Sequence, residues 1–406
     1  CLYLLFFKIS FANFSKSSVV FFSITLYKSF TFSGLFNNCI LLIEKIKNIT
    51  INIIVKNVLF VKFLMRKLNS HSIILILIII VFLIAIFTKD IRIEIAINTN
   101  QTANQIVNLE KLENITWNLY MSPDNSWWAF YDSISNIKHS LKLQTYEFTE
   151  KNIKAKLKEL LGQGVDIKII MENYKYQQFK NTWKDIENYF TWYENFEIKS
   201  DKQMKTEYVH SKINLVDSGF WIQTANLTNS SFQKNREHFF YSENQAVWHS
   251  LNNIFDKDRE WEKILLSDIH PNLVVCNINC RNVIETLLES AKESILIQTQ
   301  YIVDERILNI LKKEIGTKNI RLIVSDTDMN DKLLNYFWPA ISRKFDKYYN
   351  HTKMILVDEK ILLLGSMNLS DNSLDNNREI GILIIDQELI KKYKELFEID
   401  REKSKY

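Results

Sequence analysis

Residues 351–368 read HTKMILVDEKILLLGSMN, and this stretch decides the predicted fold of the chain. On a β-strand, His351 and Lys353 point to the same face because they are two positions apart. Asp358 is five positions beyond Lys353 and should point to the opposite face, where we expect it to fix the turn into the next strand. That next strand then brings Asn368 back beside the histidine and the lysine.

The same arrangement occurs earlier, where residues 210–226 read HSKINLVDSGFWIQTAN. This copy is one residue shorter between Asp217 and Asn226, which a tighter turn at 217–219 absorbs. Each copy is followed by an Asn-Arg-Glu triplet, at 235–237 and 377–379. One His-x-Lys alone is typical of a solvated strand edge, but two copies with matching partners indicate a functional site.

The repeat also extends upstream of the motifs. The hexapeptide SLKLQT at 140–145 aligns with SILIQT at 294–299, 154 positions later. Each predicted strand precedes a helical pattern and a further strand, at 166–171 and 320–325. We expect Thr149 to cap the first helix and Gly162 to end it, with Asp304 and Gly316 in the same roles in the second. The order strand, helix, strand, found twice, predicts two α/β halves.

Two histidines, two lysines and two asparagines at a seam between halves are suited to attack on a phosphodiester. A neutral imidazole is a competent nucleophile near pH 7, and a second imidazole can protonate the leaving oxygen. Glu237 and Glu379 are the candidates for holding one ring N–H of each imidazole. No Asp/Glu/His cluster with metal-ligand spacing lies near the motifs, so we expect no metal and no cofactor.

These motifs resemble those of the phospholipase D superfamily, whose duplicated His-x-Lys-x4-Asp-x6-Gly-Ser-x-Asn motif matches 351–368 at every position. The resemblance covers roughly residues 115–395. It implies a bilobal α/β fold with pseudo-two-fold symmetry, mixed sheets and one metal-free active site that forms a phosphohistidine. By this resemblance His210 is the nucleophile and His351 the general acid, or the reverse. Phosphate binding falls to the remaining polar motif residues: Lys212, Thr224, Asn226, Lys353, Ser366 and Asn368.

The first copy departs from the family pattern, because Gln223-Thr224 replaces Gly-Ser. Thr224 keeps a hydroxyl, whereas Gln223 adds bulk that could narrow the phosphate pocket or shift substrate choice. A catalytically silent phosphate-binding scaffold is therefore a minor alternative.

The front of the chain differs from the rest in charge and hydropathy. Residues 1–64 contain seven lysines and one acidic residue, Glu44, which leaves the remainder slightly acidic despite the formal net charge of +4. We expect 1–64 to be either a targeting extension or translated upstream sequence. Met65-Arg66-Lys67 and the apolar run 73–87 predict a signal peptide or signal anchor over 65–88. The chain would then be membrane-anchored facing outward, or exported.

After a linker at 89–114, we expect one lobe over 115–262 and a second over 263–400. The acidic balance and the export signal favour a phospholipid at a membrane surface, as in phospholipases D and cardiolipin synthases, over a nucleic acid. An exported nuclease of the same mechanism is the alternative, and no obligate protein partner is inferred. Two aromatic runs, at 189–193 and 336–339, are either core or an interfacial rim. Cys276 and Cys280 are either a disulfide or two thiols.

Overall fold

In the computed structural model, the described residues are 4–9, 22–27, 109–173, 177–338 and 341–405. The chain divides into two units, residues 1–96 and 97–406. In the first unit, β1 (Leu4–Ile9) pairs antiparallel with β2 (Phe22–Tyr27). The predicted signal segment at 65–88 lies outside the described residues. Within the described ranges, no helix is both long and apolar enough to cross a bilayer.

In the N-terminal half of the second unit, the described residues form seven strands and five helices. Its strands are β3 (Asn118–Ser122), β4 (Ser140–Thr145), β5 (Asp166–Met171), β6 (Phe196–Ser200), β7 (Ile213–Val216), β8 (Gly219–Gln223) and β9 (Asn235–Ser242). Its helices are α1 (Ser126–Ser135), α2 (Lys151–Gly162), α3 (Gln177–Phe190), α4 (Asn229–Gln233) and α5 (Gln245–Arg259), with short 3₁₀ turns at Leu109–Lys111, Asp201–Gln203 and Leu266–Asp268.

The C-terminal half repeats this plan. Its strands are β10 (Leu273–Val275), β11 (Ser294–Thr299), β12 (Asn319–Ser325), β13 (Ser342–Phe345), β14 (Tyr349–Asn350), β15 (Lys353–Val357), β16 (Ile361–Gly365), β17 (Ile380–Ile384) and β18 (Ser404–Lys405). Its helices are α6 (Cys280–Ser290), α7 (Glu305–Glu314), α8 (Asp331–Tyr336) and α9 (Gln387–Glu402), with a 3₁₀ turn at Asp328–Asn330 and a π turn at Asn372–Asn376.

The two halves have matching sheet topology. β4 pairs parallel with β5 and antiparallel with β7, and β11 pairs in the same way with β12 and β15. One eight-stranded sheet has the order β10-β17-β16-β15-β11-β12-β13-β18. The other runs β14-β9-β8-β7-β4-β5-β6, with β3 also paired to β9. Because each sheet mixes parallel and antiparallel pairs, the predicted bilobal α/β fold with mixed sheets is confirmed.

The two halves are joined by a shared core and by one strand pair. The central core combines Ile213 and Phe220 of the N-terminal half with Leu356 and Ile380 of the C-terminal half. Each such side chain contributes about 1.5–3 kcal/mol when fully buried. In addition, β14 of the C-terminal half pairs parallel with β9 of the N-terminal half. The strands that carry the two motifs are therefore held against each other.

The helix ends differ in part from the predictions. Asp304 accepts a hydrogen bond from the Ile307 N–H, 3.0 Å away, and caps α7 as expected. The first cap, however, is Glu150 and not Thr149, since the Glu150 carboxylate accepts from the Ile153 N–H at 2.7 Å. The helix was also expected to finish at Leu161, with Gly162 as the residue that stops it, and this was wrong by one position. Gly162 is the last residue of the helix, and the positive φ of +89° belongs to Gly164.

Candidate active site

His210 is held by residues of the opposite half of the fold. Its backbone N–H donates to the carbonyl oxygen of Arg378 at 2.9 Å. Its ring Nδ1 lies 2.9 and 2.8 Å from the two carboxylate oxygens of Glu379. Because an ionised carboxylate only accepts, Nδ1 carries the proton and Nε2 keeps its lone pair. The free ring nitrogen of His210 is therefore the one available for chemistry.

His351 is held in the mirror arrangement. Its backbone N–H donates to the carbonyl oxygen of Arg236 at 3.0 Å, and its Nδ1 lies 2.8 and 2.9 Å from the Glu237 oxygens. The sequence suggests a glutamate behind each imidazole, but it does not show which glutamate serves which ring. In the structure each glutamate serves the histidine of the other half. Neither half alone contains a complete His–Glu pair.

The two glutamates are buried and ionised. Burial opposes ionisation of Glu379, but its close contact with His210, the charge of Lys212 and the hydrogen bond from Ser373 outweigh burial and lower the pKa to about 2. The pKa of Glu237 is lowered as well, since His351 and Lys353 outweigh the effect of burial. Serine, threonine and asparagine side chains donate further hydrogen bonds to the two carboxylates. The Thr224 hydroxyl donates to Glu237 at 2.6 Å, and the Ser373 hydroxyl donates to Glu379 at the same distance.

Both motif lysines are buried beside the histidines. Lys212 Nζ donates to the carbonyl oxygen of His210 at 2.6 Å, and Lys353 Nζ donates to that of His351 at 2.7 Å. Burial lowers the pKa of Lys212 to about 8 and that of Lys353 to about 7, although the nearby glutamates favour the charged forms. An anion that enters the site would stabilise the protonated form of both lysines.

Burial favours the neutral form of both imidazoles. Burial lowers the pKa of His210 to about 4, against the opposing effect of Glu379. Burial also lowers the pKa of His351, with Glu237 opposing. The contacts of His210 with Glu379 and of His351 with Glu237 bring the two motifs together in one site.

The remaining motif residues divide between the pocket and its support. The side-chain oxygens of Asn226 and Asn368 are buried and have no hydrogen-bond partner among the described residues. The Ser366 hydroxyl accepts from the Ile380 N–H at 3.1 Å, which ties it to β17. Gln223 turns toward Asn214 and the carbonyl of Ala225, at 3.1 Å in both cases. The extra bulk of Gln223 is thus accommodated inside the N-terminal half.

Asp217 and Asp358 lie away from the histidines and anchor the hairpin turns. The Asp217 carboxylate accepts from the backbone N–H groups of 138–140 at 2.8–3.0 Å, at the start of β4. Asp358 binds the N–H groups of 292–294 in the same way at the start of β11. Both residues have positive φ, 25° and 52°, which Asp tolerates better than most side chains. The odd spacing of five positions between each lysine and its aspartate predicts this placement on the face opposite the histidines.

Sequence reasoning missed a second layer of buried charge that locks the two halves together. Arg378 donates from Nε to Asp258 at 3.1 Å, and Gln144 donates to the same carboxylate at 2.9 Å. The mirror set joins Arg236 and Gln298 to Asp400, at 2.8 and 2.9 Å. A signal was present, because each aspartate follows the glutamate of its own half by 21 positions.

These arginines connect the second layer to the catalytic histidines. The carbonyl of each arginine accepts the backbone N–H of a histidine from the other half, while its guanidinium holds an aspartate of that same other half. A shift of either arginine would therefore move a histidine and its glutamate together.

Other features noted in the sequence lie outside this cluster. In the aromatic runs Phe190 and Phe337 are buried, whereas Trp192 and Trp338 are exposed. Both tryptophans precede strands that run parallel to the central ones, so they lie toward the sheet edge opposite the histidines. Cys276 and Cys280 form a disulfide. In the part of the chain that the structure describes, no group of three or more His, Cys, Asp or Glu could hold a metal ion.

Comparisons with known proteins agree with this geometry. The family profile described as "Cardiolipin synthase, PLD-like domain" matches residues 130–259 and 284–401. Cardiolipin synthase 1 of Bacillus anthracis is 30% identical over 131 residues, which is 30% of this chain and 26% of that protein. Cardiolipin synthase of Staphylococcus aureus (strain Mu50) is 25% identical over 125 residues, or 27% of this chain and 25% of that protein. The matched region thus spans about a quarter of these curated relatives.

Solved structures share the fold. The phosphatidylserine synthase of Haemophilus influenzae Rd KW20 superposes with a TM-score of 0.59 at 15% identity, covering 75% of this chain and 91% of that one. The polyphosphate kinase of Porphyromonas gingivalis gives 0.55 at 14% identity, covering 70% and 47%. Because the family profile covers more than half of the chain and both motifs, the chain belongs to the cardiolipin synthase, PLD-like family of the phospholipase D superfamily.

Proposed function

We propose that the protein cleaves or transfers the phosphatidyl groups of phospholipids through a phosphohistidine intermediate, without a metal ion. The observation that carries this proposal is the pair of crossed His–Glu contacts, which orient two imidazoles in one buried site beside two lysines. The names of the matched relatives, cardiolipin synthases and a phosphatidylserine synthase, support a lipid substrate.

In the first step, His210 Nε2 forms a bond to phosphorus while the bond from phosphorus to the headgroup oxygen breaks. His351, protonated in the reactive form, transfers its proton to that leaving oxygen, so that an alcohol departs. Glu379 stabilises the positive charge that develops on the His210 ring. Lys212 and Lys353 neutralise the non-bridging oxygens as charge builds on them.

In the second step, water or an alcohol attacks the phosphorus, and neutral His351 accepts its proton. The bond from phosphorus to His210 breaks and the imidazole is restored. Water gives phosphatidic acid, whereas an alcohol gives a new phosphodiester. The low pKa of His210, about 4, supports its role as nucleophile because the ring is then neutral over the whole physiological range.

We further propose that the enzyme acts at a membrane surface, anchored and facing outward or exported. The motivation is the apolar run at 73–87 preceded by Arg66 and Lys67. Fractionation of cells expressing the full chain, with protease added from outside, tests this proposal. Exclusive recovery in the cytoplasm would refute it.

The test of the activity uses the full chain with phosphatidylglycerol vesicles in the presence of a chelator. We expect release of glycerol, or formation of a transfer product when an alcohol is added. The variant His351→Ala should lose this activity, whereas His249→Ala, an exposed histidine outside the site, should keep it. A clear preference for a short DNA or RNA would favour the nuclease alternative. Tight lipid binding with no turnover of any diester would indicate the silent scaffold.

A further inference from the structure

Each half of the fold enters its first helix through the same turn. In the C-terminal half, the Val275 N–H donates to the side-chain oxygen of Asn279 at 2.7 Å, and the Asn279 N–H donates to the Val275 carbonyl oxygen at 3.0 Å. Met121 and Asn125 make the same two bonds in the N-terminal half, at 2.8 and 2.9 Å. The two turns are 154 positions apart, as are the strands of the repeat, so their residues correspond one to one.

The two turns differ in that one is cross-linked. Cys276 and Cys280 form a disulfide, and both cysteines are buried. At the corresponding positions the N-terminal half has Ser122 and Ser126, which cannot form such a bond. The reason for the cross-link should therefore lie in a contact that the C-terminal turn alone makes.

The cross-linked turn holds Arg378, which in turn holds His210. Arg378 Nη1 donates to the carbonyl oxygen of Cys276 and to the side-chain oxygen of Asn277, at 3.0 Å in both cases. The Arg378 carbonyl oxygen accepts the backbone N–H of His210 at 2.9 Å. In addition, the Cys276 N–H donates at 3.0 Å to the carbonyl oxygen of Glu379, whose carboxylate binds the His210 ring. The turn is thus connected to both the backbone and the ring of His210.

The N-terminal half secures the corresponding arginine with a charge. Arg236 Nη1 donates to the Ser122 carbonyl oxygen at 3.2 Å and to the Asp124 carboxylate at 2.8 Å. Ile278 corresponds to Asp124, so the C-terminal turn gives its arginine only neutral oxygens. Hydrogen bonds to neutral groups are about half as strong as those between charged groups. A cross-link compensates, because a turn with few accessible conformations loses less entropy when it holds a guanidinium.

We propose that the Cys276–Cys280 disulfide is a positioning element for His210, and that its reduction by a dithiol lowers catalysis. The inference rests on the proposed function, since it concerns the imidazole assigned there as the nucleophile. In the reduction, the S–S bond takes up two electrons and two protons and becomes two thiols, while the dithiol is oxidised to its own disulfide. His351 should not respond, because Arg236 of the other turn binds its backbone N–H.

The experiment compares three preparations of the full chain: oxidised, reduced with dithiothreitol, and Cys276→Ser/Cys280→Ser, which gives the C-terminal turn the serines of the N-terminal one. Mass spectrometry after alkylation reports whether the two sulfurs are bonded. Hydrolysis of bis(p-nitrophenyl) phosphate gives kcat and KM, and NMR spectra report the ring signals of His210 and His351. The serine variant treated with dithiothreitol is the matched control, because it retains Cys1 and Cys39 but has no bond to reduce at the turn.

We expect reduction and the serine variant each to lower kcat by about tenfold or more and to leave KM within about twofold, since a displacement of about 1 Å can cost about a hundredfold in rate. The ring signals of His210 should shift, whereas those of His351 should stay in place. Reoxidation should restore the activity of the reduced wild type. Dithiothreitol should leave the serine variant unchanged.

Three results would overturn the inference. One is that Cys276 and Cys280 remain free thiols after incubation with oxidised glutathione. Another is a serine variant with the kcat and the His210 signals of the wild type. The third is a lower Tm with equal shifts of both histidine rings, which would indicate a general loss of stability. If the wild type hydrolyses no phosphodiester, the proposed function fails, whereas the NMR comparison still tests whether the disulfide positions His210.

Discussion

Replacing Glu379 by Gln tests whether the glutamate of the C-terminal half really serves the histidine of the N-terminal half. The substitution keeps the shape of the side chain and removes its charge. In the structure this charge lies 2.8 and 2.9 Å from His210 Nδ1. Glu379 is also fully buried, so the loss is not compensated by solvent.

The expected loss of activity can be bracketed from this geometry. A hydrogen bond to a charged group contributes up to about 3 kcal/mol. The attraction between unit charges about 3 Å apart is about 6 kcal/mol at an effective dielectric constant near 20, which sets an upper bound. We therefore expect kcat to fall between roughly a hundredfold and ten-thousandfold.

The assay combines headgroup release with an NMR titration of the histidine rings. Glu379 raises the pKa of His210 while burial lowers it to about 4. Removing the carboxylate should therefore lower the pKa of His210 further and leave that of His351 nearly unchanged. Glu237→Gln is the matched control and should do the reverse. If Glu379→Gln shifted the ring signals of His351 instead of His210, the crossed arrangement would be refuted.

Three further predictions concern stability and pH. Asp258→Asn should lower the free energy of unfolding by about 3 kcal/mol, because it leaves the buried Arg378 without its counter-ion. Asp256→Asn, which breaks a more exposed ion pair with Lys142, should lower it by less than about 1 kcal/mol in the same denaturant titration; equal losses would contradict the role given to the buried Arg378–Asp258 pair. The value of kcat/KM should fall as the pH rises through about 7 to 8, where the buried lysines lose their protons. Lys353→Arg should move this decrease to higher pH, because arginine stays protonated. A pH profile identical to that of the wild type would contradict the assignment of the decrease to Lys353. Gly365→Ala should lower the free energy of unfolding by about 1–3 kcal/mol, because the new Cβ would lie 2.5 Å from the Cα of Gly381 on β17. An unchanged Tm in thermal unfolding would count against that close approach.

Much of the fold could be predicted from the sequence because the same order of strand, helix, strand and motif occurs twice. The strands at 140–145, 166–171 and 294–299 were predicted at the bounds that the structure shows. The strand at 294–299 is buried throughout, whereas those at 140–145 and 166–171 each leave two residues half-buried, and turns and caps nearby set the ends of all three. The spacing of five positions between each motif lysine and its aspartate likewise predicted that Asp217 and Asp358 lie on the face opposite the histidines.

The partnership across the seam was not predictable in the same way. Each half contains a histidine followed by a glutamate, 27 positions later in the first half and 28 in the second, so the sequence is equally consistent with pairing within a half and between halves. The choice depends on how β9 meets β14 and on the shared core, which are long-range contacts. The cap at Glu150 was missed for a related reason, since Thr149 and Glu150 are both bound through their N–H groups to Leu227, far along the chain.

The most direct test of the central claim is the site of covalent attachment during turnover. The variant His351→Ala should accumulate a phosphatidyl adduct when mixed with vesicles of phosphatidyl-p-nitrophenol and quenched in base, because p-nitrophenolate departs without a proton from His351 while the second step lacks its proton acceptor. Peptide mass spectrometry should place that adduct on His210, and His210→Ala should form none. An adduct on a serine or a carboxylate, or turnover with no covalent species in any variant, would contradict the mechanism.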